Sequence, residues 1–312
     1  MRGLTRRTLL AAALLTTTTG CSLLPGRGGG GLPAMADRLD PAPFADGGGF
    51  LRVVHARPRD AAEVLGVDAE VSEQEPADQR FRATVLALPS MFVTTAPTWG
   101  VDPFAALTGE MLAGPTDTIT VRQGLQEVSL WAGGAEHLEE LAAGLEGLFA
   151  RDGELLRSTA EDARTGPLTR LIAPVGDDLL FTSAESADGV DTGSAISELF
   201  TDLSALDLGE AHLTTAMLGE TEGAAEWQWS TLFESPEQHS TRGVIRADGD
   251  ADALAERVHA GAEDAPDWQH VDEVEVDSEF LRLTLTPTDE ALDVTTFHAS
   301  MPEVIGPGVP LG

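Results

Sequence analysis

Glu256 and His259 are three residues apart on an expected helix, a spacing that lets a carboxylate and an imidazole share one metal ion. Such a site needs a partner pair, and no second Glu-x-x-His occurs, so solvated helix surface is the expectation here. Glu136, His137 and Glu140 offer no better geometry. Asp248-Gly249-Asp250-Ala251-Asp252 has the look of a calcium loop, but Ala253 stands where an EF-hand requires glycine and His259 where it requires a bidentate glutamate. A turn followed by a helix cap accounts for the same residues. Asp177-Asp178 is expected at a turn and Asp272-Glu273 on an exposed strand face. Among 52 acidic residues no such pair is informative. Ser194 follows Gly193 but lacks the Gly-x-Ser-x-Gly setting of a nucleophile elbow, and it suits a helix cap better. Histidines 55, 212, 239, 270 and 298 show no spacing that joins them to one base or metal. No catalytic residue, metal site or cofactor is therefore expected.

Three further features carry chemical meaning. Trp227, Trp229 and Phe233 fall with Thr231 on one face of an expected strand, which period 2 explains as sheet core. The same stripe is the chain's best candidate for a ligand wall, facing lipid or a protein partner. Cys21 is the single cysteine, so no intrachain disulfide can form. At 312 residues the chain is long enough to bury a large core without one. Lysine is absent altogether, which excludes a lysine Schiff base, a Ser-Lys dyad and the lysine of a P-loop.

The N-terminal residues have the order of an export signal. Arg2, Arg6 and Arg7 precede an apolar run from Leu9 to Leu15, and Thr18-Thr19-Gly20-Cys21 follows. The run is far shorter than the roughly 20 apolar residues of a membrane span. Paired Arg6 and Arg7 point to the twin-arginine route. The segment resembles the twin-arginine signals of bacterial lipoproteins. That resemblance implies a diacylglycerol on the Cys21 thiol and a cut before it. Gly20 and Cys21 match the lipobox, while Thr18 departs from its aliphatic position. A cleaved signal without lipid is the plainer alternative. The expectation is a palmitate-bearing anchor holding the protein at the outer face of the cell membrane.

Charge narrows the partners. With 19 arginines and no lysine against 52 acids, the net charge is −33. Such a field repels nucleic acid and anionic polymers, so no nucleic acid partner is expected, and the membrane is reached only through the anchor at Cys21. The absence of lysine, tyrosine and asparagine, all with AT-rich codons, points to a GC-rich source.

The elements that would position these residues follow from periodicity. Residues 21–49, rich in Gly, Pro and Ala, read as a flexible linker after a 1–20 signal. Leu51 to Val54 is extended and Pro58-Arg59-Asp60 starts a helix. Arg80 to Leu88 is ambiguous between helix and strand, and Asp102-Pro103 opens a helix carrying Phe104, Leu107 and Met111. Thr118–Arg122 and Gln126–Trp131 alternate as a hairpin with Ile119, Val121, Val128 and Leu130 inward. Ala135–Phe149 is an amphipathic helix with Leu138, Leu141, Leu145 and Leu148 as its stripe. A hairpin at Leu168–Ala173 and Leu179–Ser183 follows, then a helix at Ser194–Leu206. The C-terminal part replays the order: strands at His212–Leu218, Ala225–Phe233 and Thr241–Ala247, a helix capped by Asp250 or Asp252, and a hairpin over Val271–Thr286.

The expected class is α+β: antiparallel sheets with helices on one face, in two weakly similar ββαββ units. The expected organisation is a first lobe at 50–206, a second at 207–305 and a tail at 306–312. Asp60-Ala61-Ala62-Glu63-Val64-Leu65-Gly66, Gly100-Val101-Asp102-Pro103 and Gly114-Pro115-Thr116-Asp117-Thr118-Ile119-Thr120-Val121 resemble a group of exported actinobacterial lipoproteins. That group implies compartment and architecture and no site residues. Two functional expectations result: an anchored, non-catalytic binding or scaffolding domain, and, as the alternative, an extracytoplasmic hydrolase using a carboxylate pair or a His-carboxylate site.

Overall fold

Alternating strand residues and short glycine turns build one antiparallel sheet. The computed structural model describes Met35, Arg38 and residues 51–66, 117–123, 126–159, 169–183, 211–221, 224–235, 238–247, 249–263 and 269–287. Its strands are β1 (Leu51–Ala56), β2 (Thr118–Gln123), β3 (Gln126–Trp131), β4 (Phe149–Asp152), β5 (Leu155–Ser158), β6 (Leu171–Val175), β7 (Asp178–Thr182), β8 (Leu213–Thr221), β9 (Ala224–Ser235), β10 (Gln238–Ala247), β11 (Gln269–Asp277) and β12 (Phe280–Pro287). They form a 12-stranded sheet in the order β11-β12-β10-β9-β8-β1-β2-β3-β7-β6-β5-β4. Among the described residues three α-helices are bounded beside it: α1 (Pro58–Leu65), α2 (Leu138–Gly144) and α3 (Ala251–Glu263). Among the described residues no helix is long and apolar enough to cross a membrane.

Hairpins account for most of the order, since antiparallel neighbours need only short turns. Three junctions join strands that are not consecutive, β10–β12, β3–β7 and, at the centre, β1–β8, which pair along six residues from Leu51↔Leu218 to Ala56↔Leu213. Two apolar clusters flank this seam. One gathers Ala56, Ala61, Trp131, Leu138, Leu141, Leu145, Phe149, Leu156, Ile172, Leu179, Phe181, Leu213 and Phe233, and so draws on both sides of the seam. The other packs Leu254, Ala255 and Val258 of α3 against Trp227, Trp229, Ile245, Leu281 and Leu283.

The helix expected over Ala135–Phe149 is shorter than its apolar spacing suggests. A 3₁₀ turn spans Gly134–His137, α2 ends at Gly144, and Phe149 opens β4. Gly147 sits at φ 91°, a left-handed conformation that a helix cannot contain. Leu145 and Phe149 nevertheless enter the same cluster as Leu138 and Leu141, so the spacing is satisfied by core contact without helical continuity. The hairpin β4–β5 was not expected. Its two-residue turn is Gly153-Glu154, with Gly153 at φ 66° in the first turn position, where a positive φ favours glycine. The segments expected at Arg80–Leu88, Asp102–Met111 and Ser194–Leu206 lie outside the described residues.

The inward positions Ile119, Val121, Val128 and Leu130 are buried as expected, but their polar neighbours are buried too: Thr118, Thr120, Glu127 and Ser129 are at most 6% exposed. The central sheet is covered on both faces. Its hydroxyls are satisfied in cross-strand pairs: Thr120 with Ser129 at 2.8 Å, Thr231 with Thr241 at 2.9 Å, and Thr214 with Ser230 at 3.1 Å. Each pair joins residues in direct register.

Candidate functional site

Strand alternation sets His55 on the opposite side of β1 from Val54 and Ala56. On that side the neighbouring strands contribute Thr214 (β8), Ser230 and Gln228 (β9), and Asp117, which immediately precedes β2. All five are between 2% and 5% exposed. His55 pairs in register with Ile119, so Asp117 lies two residues along, at the diagonal position across the strands. The imidazole Nε2 donates to Asp117 Oδ1 at 2.9 Å. Because a carboxylate only accepts, the proton of neutral His55 sits on Nε2 and Nδ1 is left as an acceptor.

The strip continues at both ends. At one end Gln228 Nε2 donates to Ser230 Oγ at 3.2 Å, and Gln228 Oε1 is buried without a hydrogen-bond partner among the described residues. At the other, Ala132 donates its N–H to the Asp117 carbonyl, and Gly133 donates to Asp178 Oδ1 at 3.0 Å. Asp178 also pairs with Arg38, which lies close enough to Asp117 to feel its charge. Burial pulls the Arg38 pKa down and Asp117 partly restores it. Asp178 is therefore a buried ion-pair partner at the first residue of β7, in contrast to the solvated turn acid its position suggested. Gly176, at φ 62°, makes the turn.

Chemically, a buried imidazole oriented by a carboxylate is half of a general-base pair. The missing half is a nucleophile. Thr214 stands beside His55 in register, but its hydroxyl bonds to Ser230. Among the described residues no hydroxyl hydrogen-bonds to His55, and no three His, Cys, Asp or Glu groups converge to hold a metal.

The aromatic stripe lies in the core. Trp227 and Trp229, 3% and 0% exposed, pack under α3 with ring centroids 5.8 Å apart, while Phe233 joins the cluster around α2 and stacks on His212 at 5.8 Å. His212 accepts the Phe233 N–H on Nδ1 at 3.1 Å. Phe233 also approaches His239, whose pKa burial lowers. Glu256 and His259 are both on the exposed face of α3. Asp250 Oδ1 accepts the N–H groups of Asp252 and Ala253 at 3.1 and 3.2 Å, as a helix cap does. Glu273 is exposed on β11. Cys21, Arg6, Arg7, Ser194 and His298 lie outside the described residues. The His55–Asp117 pair was missed because 62 residues separate its members and only the β1–β2 register joins them. Against protein-family models, curated proteins and solved structures, the chain matches none.

Proposed function

We propose that this chain is an exported lipoprotein, anchored at the outer face of the cell membrane through a diacylglycerol on Cys21, whose acidic domain binds or scaffolds a protein or lipid ligand without catalysis. The observation that carries this reading is the succession of Arg6-Arg7, the apolar Leu9–Leu15 and Gly20-Cys21 in a chain with no other cysteine. A net charge of −33 supports it, because self-repulsion from anionic lipids would hold the domain clear of the surface to which it is tethered.

The architecture proposed with it has the three described helices α1, α2 and α3 on one face of the sheet and two related ββαββ units. In support, the register carries Ala56, Thr118 and Trp131 along one row beneath α1 and α2, and the same side of β9 holds Trp227 and Trp229 beneath α3. Further support comes from strand order, β2-β3-β7-β6 around α2 and β9-β10-β12-β11 around α3.

The test is the mass of the N-terminal peptide from envelope-extracted protein, with Cys21→Ala alongside. A lipidated Cys21 and release of the variant from the membrane are expected. An unmodified N-terminus downstream of Cys21 would sink the anchor. The His55–Asp117 pair favours hydrolysis as a second reading. Turnover of an ester or amide substrate, abolished in Asp117→Asn while the fold persists, would establish it.

A further inference from the structure

Trp131 on β3 pairs in register with Thr118 on β2 and with Leu179 on β7. One residue further along, Asp117 and Asp178 therefore stand on either side of Ala132, on the face of the sheet that carries His55. The Ala132 N–H donates to the Asp117 carbonyl at 2.9 Å, in keeping with that register. Two strand spacings set the backbones of the two acids roughly 10 Å apart, with only a methyl group between them. Both are buried, at 2% and 7% exposed. Each has one oxygen held by the sheet and its turns: Asp117 Oδ1 accepts from His55 Nε2 at 2.9 Å, and Asp178 Oδ1 accepts from the Gly133 N–H at 3.0 Å. The second oxygen of each is left for a cation.

A guanidinium already sits there, and it fits incompletely. Arg38 pairs through Nη2 with Asp178 Oδ2, while its Nη1 meets only Met35 Sδ, a weak acceptor, at 3.6 Å. Asp117 acts on Arg38 through its charge, yet among the described residues no hydrogen bond joins the two. Burial pulls the Arg38 pKa down by more than Asp117 restores. The two acids are preset by donors of the sheet, whereas the cation comes from a turn ahead of β1, seated by Met35 at 1% exposed. The Arg38 side chain is 36% exposed, so solvent reaches the cation from one side.

We propose that Asp117 and Asp178 form a guanidinium-binding site, filled in cis by Arg38 and in trans by the guanidinium of a ligand. An untethered guanidinium between the two carboxylates donates to the second oxygen of both, which Arg38 does not do, and each such charge-assisted bond is a strong one. Its planar fork presents donors along two edges and so bridges the acids. An ammonium is a compact, strongly hydrated point charge and is the poorer match. A net charge of −33 draws cations toward the chain. In this site His55 orients Asp117 toward the cation, a task distinct from that of a general base. The inference names the ligand class of the binding domain and rests on that reading. It is independent of the anchor, whose failure would show in the N-terminal peptide and leave cation binding intact.

The test is calorimetric titration and thermal unfolding of the full chain with ethylguanidinium chloride at millimolar concentration, against ethylammonium chloride at equal ionic strength. Arg38→Ala empties the site, so it is expected to bind ethylguanidinium about tenfold more tightly than the parent, in which a tethered competitor must first leave. Its Tm should rise with ethylguanidinium and much less with ethylammonium, and Arg38→Ala combined with Asp178→Asn should show neither rise. If Arg38→Ala does not fold, Arg38→Lys decides, because lysine is the weaker competitor and should also leave the probe tighter than in the parent. The peptide acetyl-Gly-Arg-Gly-amide separates the two sources of the guanidinium. Binding of the peptide assigns a protein's arginine side chain, binding of ethylguanidinium alone assigns a small free guanidinium, and either supports the site. Equal affinity in the parent and Arg38→Ala would overturn it. So would the absence of binding to every variant, an equal Tm rise in the double variant, or an ethylammonium response as large as that of ethylguanidinium.

Discussion

At the scale of single residues, two positions show how tightly this core is specified. Gly243 on β10 lies directly opposite Trp229 on β9, and a Cβ there would fall inside the indole ring. Gly243→Ala must therefore displace a wholly buried tryptophan or shift two paired strands. Overpacking of this kind costs about 2–3 kcal/mol. It would appear as a lower urea midpoint at unchanged m-value, and a midpoint within error of the parent would show that the ring is not held where it lies. His239 makes a different kind of prediction. Its imidazole is largely buried beside Phe233, and desolvation holds its pKa below the ordinary histidine value. The unfolded chain then binds the proton more readily than the folded one. The resulting stability is fully present above the unfolded pKa of about 6.5 and is lost as pH falls from there toward the depressed folded value. Between pH 7.5 and pH 5 the parent should lose more stability than His239→Gln, and parallel pH profiles would refute the assignment.

At the scale of elements, α3 tests how far a local rule reaches. Asp250 caps it through two backbone N–H groups, so Asp250→Ala is expected to cost about 1 kcal/mol, while Asp252→Ala, one turn position later and exposed, should cost much less. Equal losses would assign the cap wrongly. Sequence alone left these two residues tied, because both are capping residues ahead of the same apolar stripe. Elsewhere the hairpins β2–β3, β6–β7 and β11–β12 were legible to within about three residues, since alternation and glycine turns are local signals. The end of α2 was not. Its leucine spacing continues past Gly144 because Leu145 and Phe149 reach the same core from a turn and a strand, and periodicity cannot tell those routes apart. The polar strip was equally hidden. His55, Asp117, Thr214, Ser230 and Gln228 come from four different regions of the chain, and register alone assembles them.

At the scale of the molecule, the question is whether the lobes at 50–206 and 207–305 are separable. Hairpin order suggests a division at the seam, yet the physical content of the seam argues against it. Six registered pairs join β1 to β8, and one hydrophobic cluster takes Ala56, Ala61, Trp131 and α2 from one side and Leu213 and Phe233 from the other. Separating the halves would expose these groups and open two central strand edges, which are templates for aggregation. The β11 edge, by contrast, is protected. Glu273, Glu275 and Asp277 stud β11, where Val276, 41% exposed, is one of the two large apolar residues left in solvent among the described residues. Cooperative unfolding follows, because neither half can open the seam without exposing buried surface on both. Hydrogen exchange in rising urea should therefore release peptides from β2–β3 and from β9–β10 at one shared midpoint, and residues 207–305 expressed alone should fail to give a protected core. Two separate midpoints, with a protected isolated half, would make the seam an interface between domains, with the polar strip of His55, Asp117, Thr214, Ser230 and Gln228 assembled across it.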